Sequence, residues 1–248
     1  MNTFKEFLNQ EKRLKRRALI IGCPDDKITG VNGDMKNYKD FLISPRGGLW
    51  DESEITVLKS PTSEQIAPQI TKLSEADYSF LVFSGHGFYS QPEGATMLQL
   101  RPDLFINENK LYKGALRRTI IFDACQEIEN YRVPRHMLVE AALEHFKGSL
   151  DIRQIYDEQI MKCSEGMVKM YGCKITEASH DVPDEGGLFS IALLNAAKRL
   201  SSDAGSIISV LDAFMDAKEV VSVQSAGDQN PTGYFSRTLP HFPFAVSL

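Results

Sequence analysis

The chain has 248 residues, 42% hydrophobic and 25% charged, with a formal net charge of −5, which suits one globular domain able to bury a sizeable core. Its basic residues do not interleave with aromatics, so the electrostatic footprint of a nucleic-acid partner is missing. The longest apolar stretches, such as Ala18–Ile21 and Phe80–Phe83, fall far short of the about 20 residues needed to cross a bilayer, and no membrane partner is expected.

In chain order, Phe4–Arg17 carries apolar positions among many lysines and arginines and reads as a short solvated helix, so residues 1–16 form an N-terminal helical extension to a domain spanning 17–248. Four runs read as strands: Arg17–Gly22, Glu54–Lys59, Tyr78–Ser84 and Arg118–Cys125. The near-continuous apolar centres of two of them mark strands covered on both faces. Helical patterns lie between, at Asp34–Ile43 and Ser63–Glu75, the second with Thr62 or Ser63 as cap after Pro61. Phe88–Leu116 is less regular, with short hairpin strands at MLQL and LFI that suggest a flap. Next comes a segment rich in helix formers and charges, about 127–167, read as an insertion. A strand-like run at Lys169–Ala178 and amphipathic helices at Gly187–Leu200 and Ser206–Val221 complete the pattern. The alternation predicts an α/β fold with a mostly parallel central sheet and helices on both faces. Its reactive groups gather at the carboxyl ends of the strands.

Two such ends carry chemistry, Ser84-Gly85-His86-Gly87 and Asp123-Ala124-Cys125-Gln126. If their strands are neighbours, His86 takes the proton of Cys125, the thiolate attacks a carbonyl, and the imidazolium protonates the leaving amine. The glycines beside His86 permit close approach of substrate, and the N–H groups of Gly87 and Cys125 are candidate oxyanion donors. Taken singly, a strand-end cysteine is most often a small buried hydrophobe and a histidine between glycines a turn residue. The pairing raises the functional reading.

These two motifs resemble those of the caspase and metacaspase family of cysteine peptidases. The opening RALIIG, the helix starting near Gly33-Asp34-Met35, the later EASHDVPDEGGLFSIALL and the closing Gln229-Asn230-Pro231 and Phe242-Pro243-Phe244 are similar to the family's framework, so the resemblance runs from about Arg17 to Val246. It implies a caspase-like peptidase domain, a protein or peptide substrate and a thioester intermediate. The cysteine motif departs from the caspase pattern, in which glutamine stands two residues before the cysteine and the histidine lies ~50 residues upstream. Asp123 in place of that glutamine resembles the metacaspase and bacterial branch. By that resemblance Asp123, Asp34 and Ser84 form the pocket for the residue preceding the cut. Val31 and Gln126 stand where that branch often has cysteine and histidine. Two carboxylates in one pocket favour a guanidinium or ammonium and repel an aspartate side chain, so cleavage after Arg or Lys is expected. The competing account of Asp34 is a helix N-cap.

Other features weigh less. Cys163, Cys173 and His180 lack the close spacing of structural zinc. No cofactor is expected; calcium, which some metacaspases bind elsewhere in the fold, would have the acidic residues Asp181, Asp184 and Glu185 to meet, although a solvated loop accounts for them. Cys23-Pro24-Asp25-Asp26 is a poor anion site, against a nucleotide-binding domain. Scattered cysteines and no apolar leader suggest a cytoplasmic protein with reduced thiols. Lys147, Arg153 and Lys162 mark the insertion as a candidate self-processing segment. A separate activating partner or signal molecule, in cell-death or defence signalling, is an analogy from the family. The rival from another class is a catalytically quiet interaction module on the same fold.

Overall fold

The computed structural model describes residues 13–125, 151–236 and 239–248. Most of the expected N-terminal helix and most of the expected insertion, Lys147 included, lie outside those residues; the expected end of that helix, Arg16 and Arg17, instead opens the first strand.

The first strand, β1 (Arg16–Cys23), leads through a short loop into helix α1 (Val31–Ile43), then β2 (Ile55–Lys59), α2 (Ser63–Ser74) and β3 (Tyr78–Ser90). A hairpin of β4 (Ala95–Arg101) and β5 (Leu104–Asn107) precedes β6 (Arg117–Cys125). Beyond residue 150 come α3 (Ile152–Lys162), β7 (Gly166–Tyr171), the short pair β8 (Asp181–Val182) and β9 (Gly186–Gly187), and α4 (Leu188–Arg199). The chain closes with β10 (Ile207–Ser209), α5 (Val210–Gln224), β11 (Thr232–Phe235) and β12 (Pro243–Val246). Among the described residues the main sheet runs β11-β7-β6-β3-β1-β2. Its pairs are parallel except β11 with β7.

Alternation along the strands divides the core. Ala18, Ile20, Phe80, Val82 and Ile121 join α1, α3, α4 and α5 on one face. Leu19, Ile21, Leu81, Phe83, Ile120 and Phe122 meet α2 and the hairpin residues Leu98 and Leu100 on the other. Both faces are therefore covered, which is why these strands read as continuous apolar runs.

Three boundaries differ from expectation. Helix α1 begins at Val31 with Gly30 as its N-cap, so Asp34 lies inside the first turn and does not cap it. Residues 152–167, expected within an insertion, hold α3 and the start of β7; Ile152, Tyr156 and Ile160 are fully buried in the main core. Arg153 consequently sits in a paired position, its guanidinium 2.7 Å from Glu54, rather than in an open processing segment. Finally, His86 is not in a turn. Strand β3 runs on to Ser90, leaving its parallel partners and taking β4 as an antiparallel partner from Gly87 onward.

Candidate active site

The sheet brings the two reactive ends side by side. Strands β3 and β6 pair in parallel register from Tyr78↔Arg117 through Ser84↔Asp123 to His86↔Cys125. Adjacent strands lie about 4.8 Å apart, so the backbone sets Cys125 directly beside His86. Gly87 follows at the position where β3 passes to β4; a Cβ there would lie 3.1 Å from the Ala124 Cβ and 3.2 Å from the Met97 carbonyl, a fit that favours glycine.

Two residues earlier on each strand, on the face shared with His86, stand Ser84 and Asp123, both buried. Helix α1 aims Asp34, also buried, at the same place. Ser84 Oγ donates to Asp34 Oδ2 at 2.5 Å, and the Gly187 N–H donates to Asp34 Oδ1 at 3.0 Å. Asp123 Oδ2 accepts from the Ser190 N–H (3.0 Å) and Oγ (2.6 Å), and Oδ1 accepts from Ser179 Oγ (2.9 Å). Gly187 is the N-cap of α4 and supplies no side chain to its first-turn amides. The carboxylates of Asp34 and Asp123 do so from other elements, within reach of the positive end of the helix dipole.

Gly186 and Gly187 make this approach possible. A Cβ at Gly186, whose φ is +144°, would collide with Asp34 Oδ1, and one at Gly187 with Asp123 Oδ2. Burial, together with the charge of Asp123, pushes the Asp34 carboxyl well above its ordinary value. Burial raises Asp123 as well, against the three hydrogen bonds it accepts. Two carboxylates so close together hold a proton between them more readily than they hold two charges.

A third acid, expected from the sequence in a solvated loop, closes the pocket instead. Asp181 on β8 is 4% exposed and accepts from the Gly30 N–H at 3.1 Å. Burial raises it to about 6, the Gly30 bond opposing, with the charges of Asp123, Asp184 and Asp25 adding to the rise. Asp34, Ser84, Asp123, Ser179, Asp181 and Gly187 thus line one narrow space of about 10 Å3, walled by Ile28 and Val31. None of its described lining residues is Lys or Arg.

His86 is held from the other side. Its Nε2 lies 2.9 Å from Asp25 Oδ2, on the loop after β1. Asp25 Oδ1 accepts from the N–H groups of Lys27 (2.8 Å) and Ile28 (3.1 Å). In the sequence Asp25 marks only a loop poorly suited to an anion, with no sign of this contact.

Comparison with known proteins places the architecture. Residues 15–242 match the family described as the caspase domain of the C14 peptidases. The chain belongs to the caspase family of cysteine peptidases. At the level of fold, this caspase-domain chain is similar to the crystal structure of caspase-1 from Spodoptera frugiperda, with a TM-score of 0.57, 15% identity, and 90% of this chain and 86% of that one covered. A protein of Geobacter sulfurreducens is similar with a TM-score of 0.54, 17% identity and coverage of 94% and 100%. No curated protein matches the sequence significantly.

The remaining cysteines do not gather. Cys163 Sγ donates to the Gln159 carbonyl, and Cys173 Sγ lies near the carbonyls of Ala124 and Glu177. Among the described residues no group of three His, Cys, Asp or Glu side chains is arranged to hold a metal ion. No described helix is long and apolar enough to cross a membrane.

Proposed function

We propose that this caspase-family chain is an endopeptidase that cleaves after arginine or lysine, with Cys125 as nucleophile and His86 as its base. The observation that carries the specificity is the buried pair Asp34 and Asp123, joined by Asp181, beneath the His86–Cys125 register pair. Two residues of strand separate the pocket from that pair, about 6.6 Å, a depth that suits a long side chain with its charge at the tip. Uncompensated buried carboxylates are costly, and a guanidinium supplies both the charge and the fork of donors they lack. An aspartate side chain would add a further acid to that cluster and no donor of positive charge.

The chemistry follows from the neighbours on the sheet. The Cys125 thiolate attacks the carbonyl carbon, and the carbonyl electron pair moves onto oxygen, which the N–H groups of Gly87 and Cys125 receive. Collapse of that intermediate breaks the C–N bond while His86 gives its proton to the leaving amine. Water, deprotonated by His86, then attacks the thioester, releasing the acid and regenerating the thiol. A space of about 10 Å3 is close to the size of one water, so an arginine enters only as the walls part. Ser84 keeps Asp34 oriented during that exchange. Calcium, a separate activating signal and self-cleavage enter none of these steps.

Hydrolysis of fluorogenic peptides ending in Arg, Lys or Asp, by wild type and Cys125→Ala, tests the reading. Turnover after Arg or Lys that disappears in the variant is expected. Turnover after Asp would overturn the pocket assignment, and a folded protein silent toward every peptide would favour the interaction module.

A further inference from the structure

We infer that Asp25 is a positioning residue of the site: it accepts the Nε2 proton of His86 and so leaves Nδ1 as the ring nitrogen that takes the proton of Cys125. The inference rests on the peptidase reading above and adds a third member to its dyad.

Among the described residues Asp25 is the hydrogen-bond partner of His86, at 2.9 Å. The loop builds the contact deliberately. One carboxylate oxygen is spent on the Lys27 and Ile28 N–H groups, an Asx-type turn that fixes the side chain, and the other is thereby aimed at the imidazole. The register extends the same logic: β1 ends with Cys23 opposite Gly85, so the residues just past Cys23 fall beside His86. Burial alone would raise the Asp25 carboxyl, but its hydrogen bonds from Lys27, His86 and Ile28 hold it below the usual range; it is ionised at neutral pH and can only accept. A neutral imidazole carries one N–H. With an obligate acceptor at Nε2, that proton stays there, and the lone pair is at Nδ1. Asp25 is 47% exposed on its side chain, so the pair contributes little to stability. Its effect is on tautomer and ring orientation.

The loop role and the tautomer role separate on substitution. Asp25→Asn keeps a carbonyl oxygen for the Lys27 and Ile28 amides but turns an N–H toward Nε2, which reverses the preferred tautomer. Asp25→Ala removes both. Imidazole 15N spectra of the full chain should show His86 protonated at Nε2 in the wild type and at Nδ1 in Asp25→Asn. In turnover of an Arg peptide, kcat should fall roughly 10²- to 10⁴-fold, the upper figure being the cost of tautomer reversal in a serine triad, with KM little changed. Impairment in Asp25→Ala with a wild-type spectrum and kcat in Asp25→Asn would overturn the inference, since the loop alone would then account for the residue. A reversed tautomer in a chain that cleaves no peptide would support Asp25 as the partner of His86 and count instead against the peptidase reading.

Discussion

Replacing Asp123 by asparagine isolates charge from shape in the proposed pocket. Asparagine is nearly isosteric; its Oδ1 can accept from the Ser190 N–H and Oγ, now 3.0 and 2.6 Å from Asp123. Its Nδ2 then faces Ser179 Oγ, 2.9 Å from the native carboxylate, and a hydroxyl can accept as well as donate. The fold should therefore survive. What disappears is one of two charges facing a basic side chain, and a hydrogen bond to a charged group contributes about 1.5–3 kcal/mol. At 1.4 kcal/mol per tenfold, kcat/KM for an Arg peptide should drop about 10- to 150-fold. A citrulline peptide, the same shape without the charge, should lose far less, so the Arg-to-citrulline ratio collapses. The charge of Asp123 is also the second cause, after burial, of the raised Asp34 carboxyl. Removing it lets Asp34 ionise at lower pH, and the acid limb of kcat/KM should move downward. A folded Asp123→Asn protein with an unchanged Arg-to-citrulline ratio would refute the pocket.

Two further outcomes concern stability. The Asp181 carboxyl is raised from 3.8 to about 6, so its favourable contribution is complete below the unfolded value and fades as pH rises through about 6; Asp181→Asn should raise Tm relative to wild type at pH 7.5 and not at pH 4, and equal differences at both would contradict the assignment. Arg16 is fully buried, donating to the carbonyls of Gly48 and Leu49 at 3.0 Å and ion-paired with Asp157 at 3.2 Å, its guanidinium 4.5 Å from the Trp50 ring. Arg16→Met leaves Asp157 ion-paired with Arg153, at 3.5 Å, and should cost about 3 kcal/mol in urea denaturation, whereas a loss under about 1 kcal/mol would show that Arg153 suffices.

The parts of the site legible in the sequence are those that end apolar strands. Period and apolar runs located β1, β3 and β6, and with them the neighbours His86 and Cys125, because a strand buried on both faces writes its burial into consecutive residues. Asp181 was legible only as a loop acid: its burial comes from contact with Gly30, distant in sequence, and the turn-like DVPDEGG around it masks that. The double glycine at 186–187 was the one local sign that something packs closely there. Asp25 likewise depends on a loop conformation that no periodicity records. The strand expected at Lys169–Ala178 lies earlier, as β7 at Gly166–Tyr171; the Lys169 ammonium within it lies 4.1 Å from the Tyr112 ring, which keeps a charge tolerable in the sheet.

The most direct test of the central claim is mass spectrometry of the native chain after brief exposure to an arginyl chloromethyl ketone at neutral pH. Burial pushes the thiols of Cys23 and Cys173 up to about 12 and that of Cys163 to about 11, leaving them poor nucleophiles. A single adduct on Cys125, absent with the aspartyl reagent and lost in Asp123→Asn, is predicted. An unmodified Cys125, or one that reacts with the aspartyl reagent in preference, would contradict a nucleophile served by a basic-residue pocket.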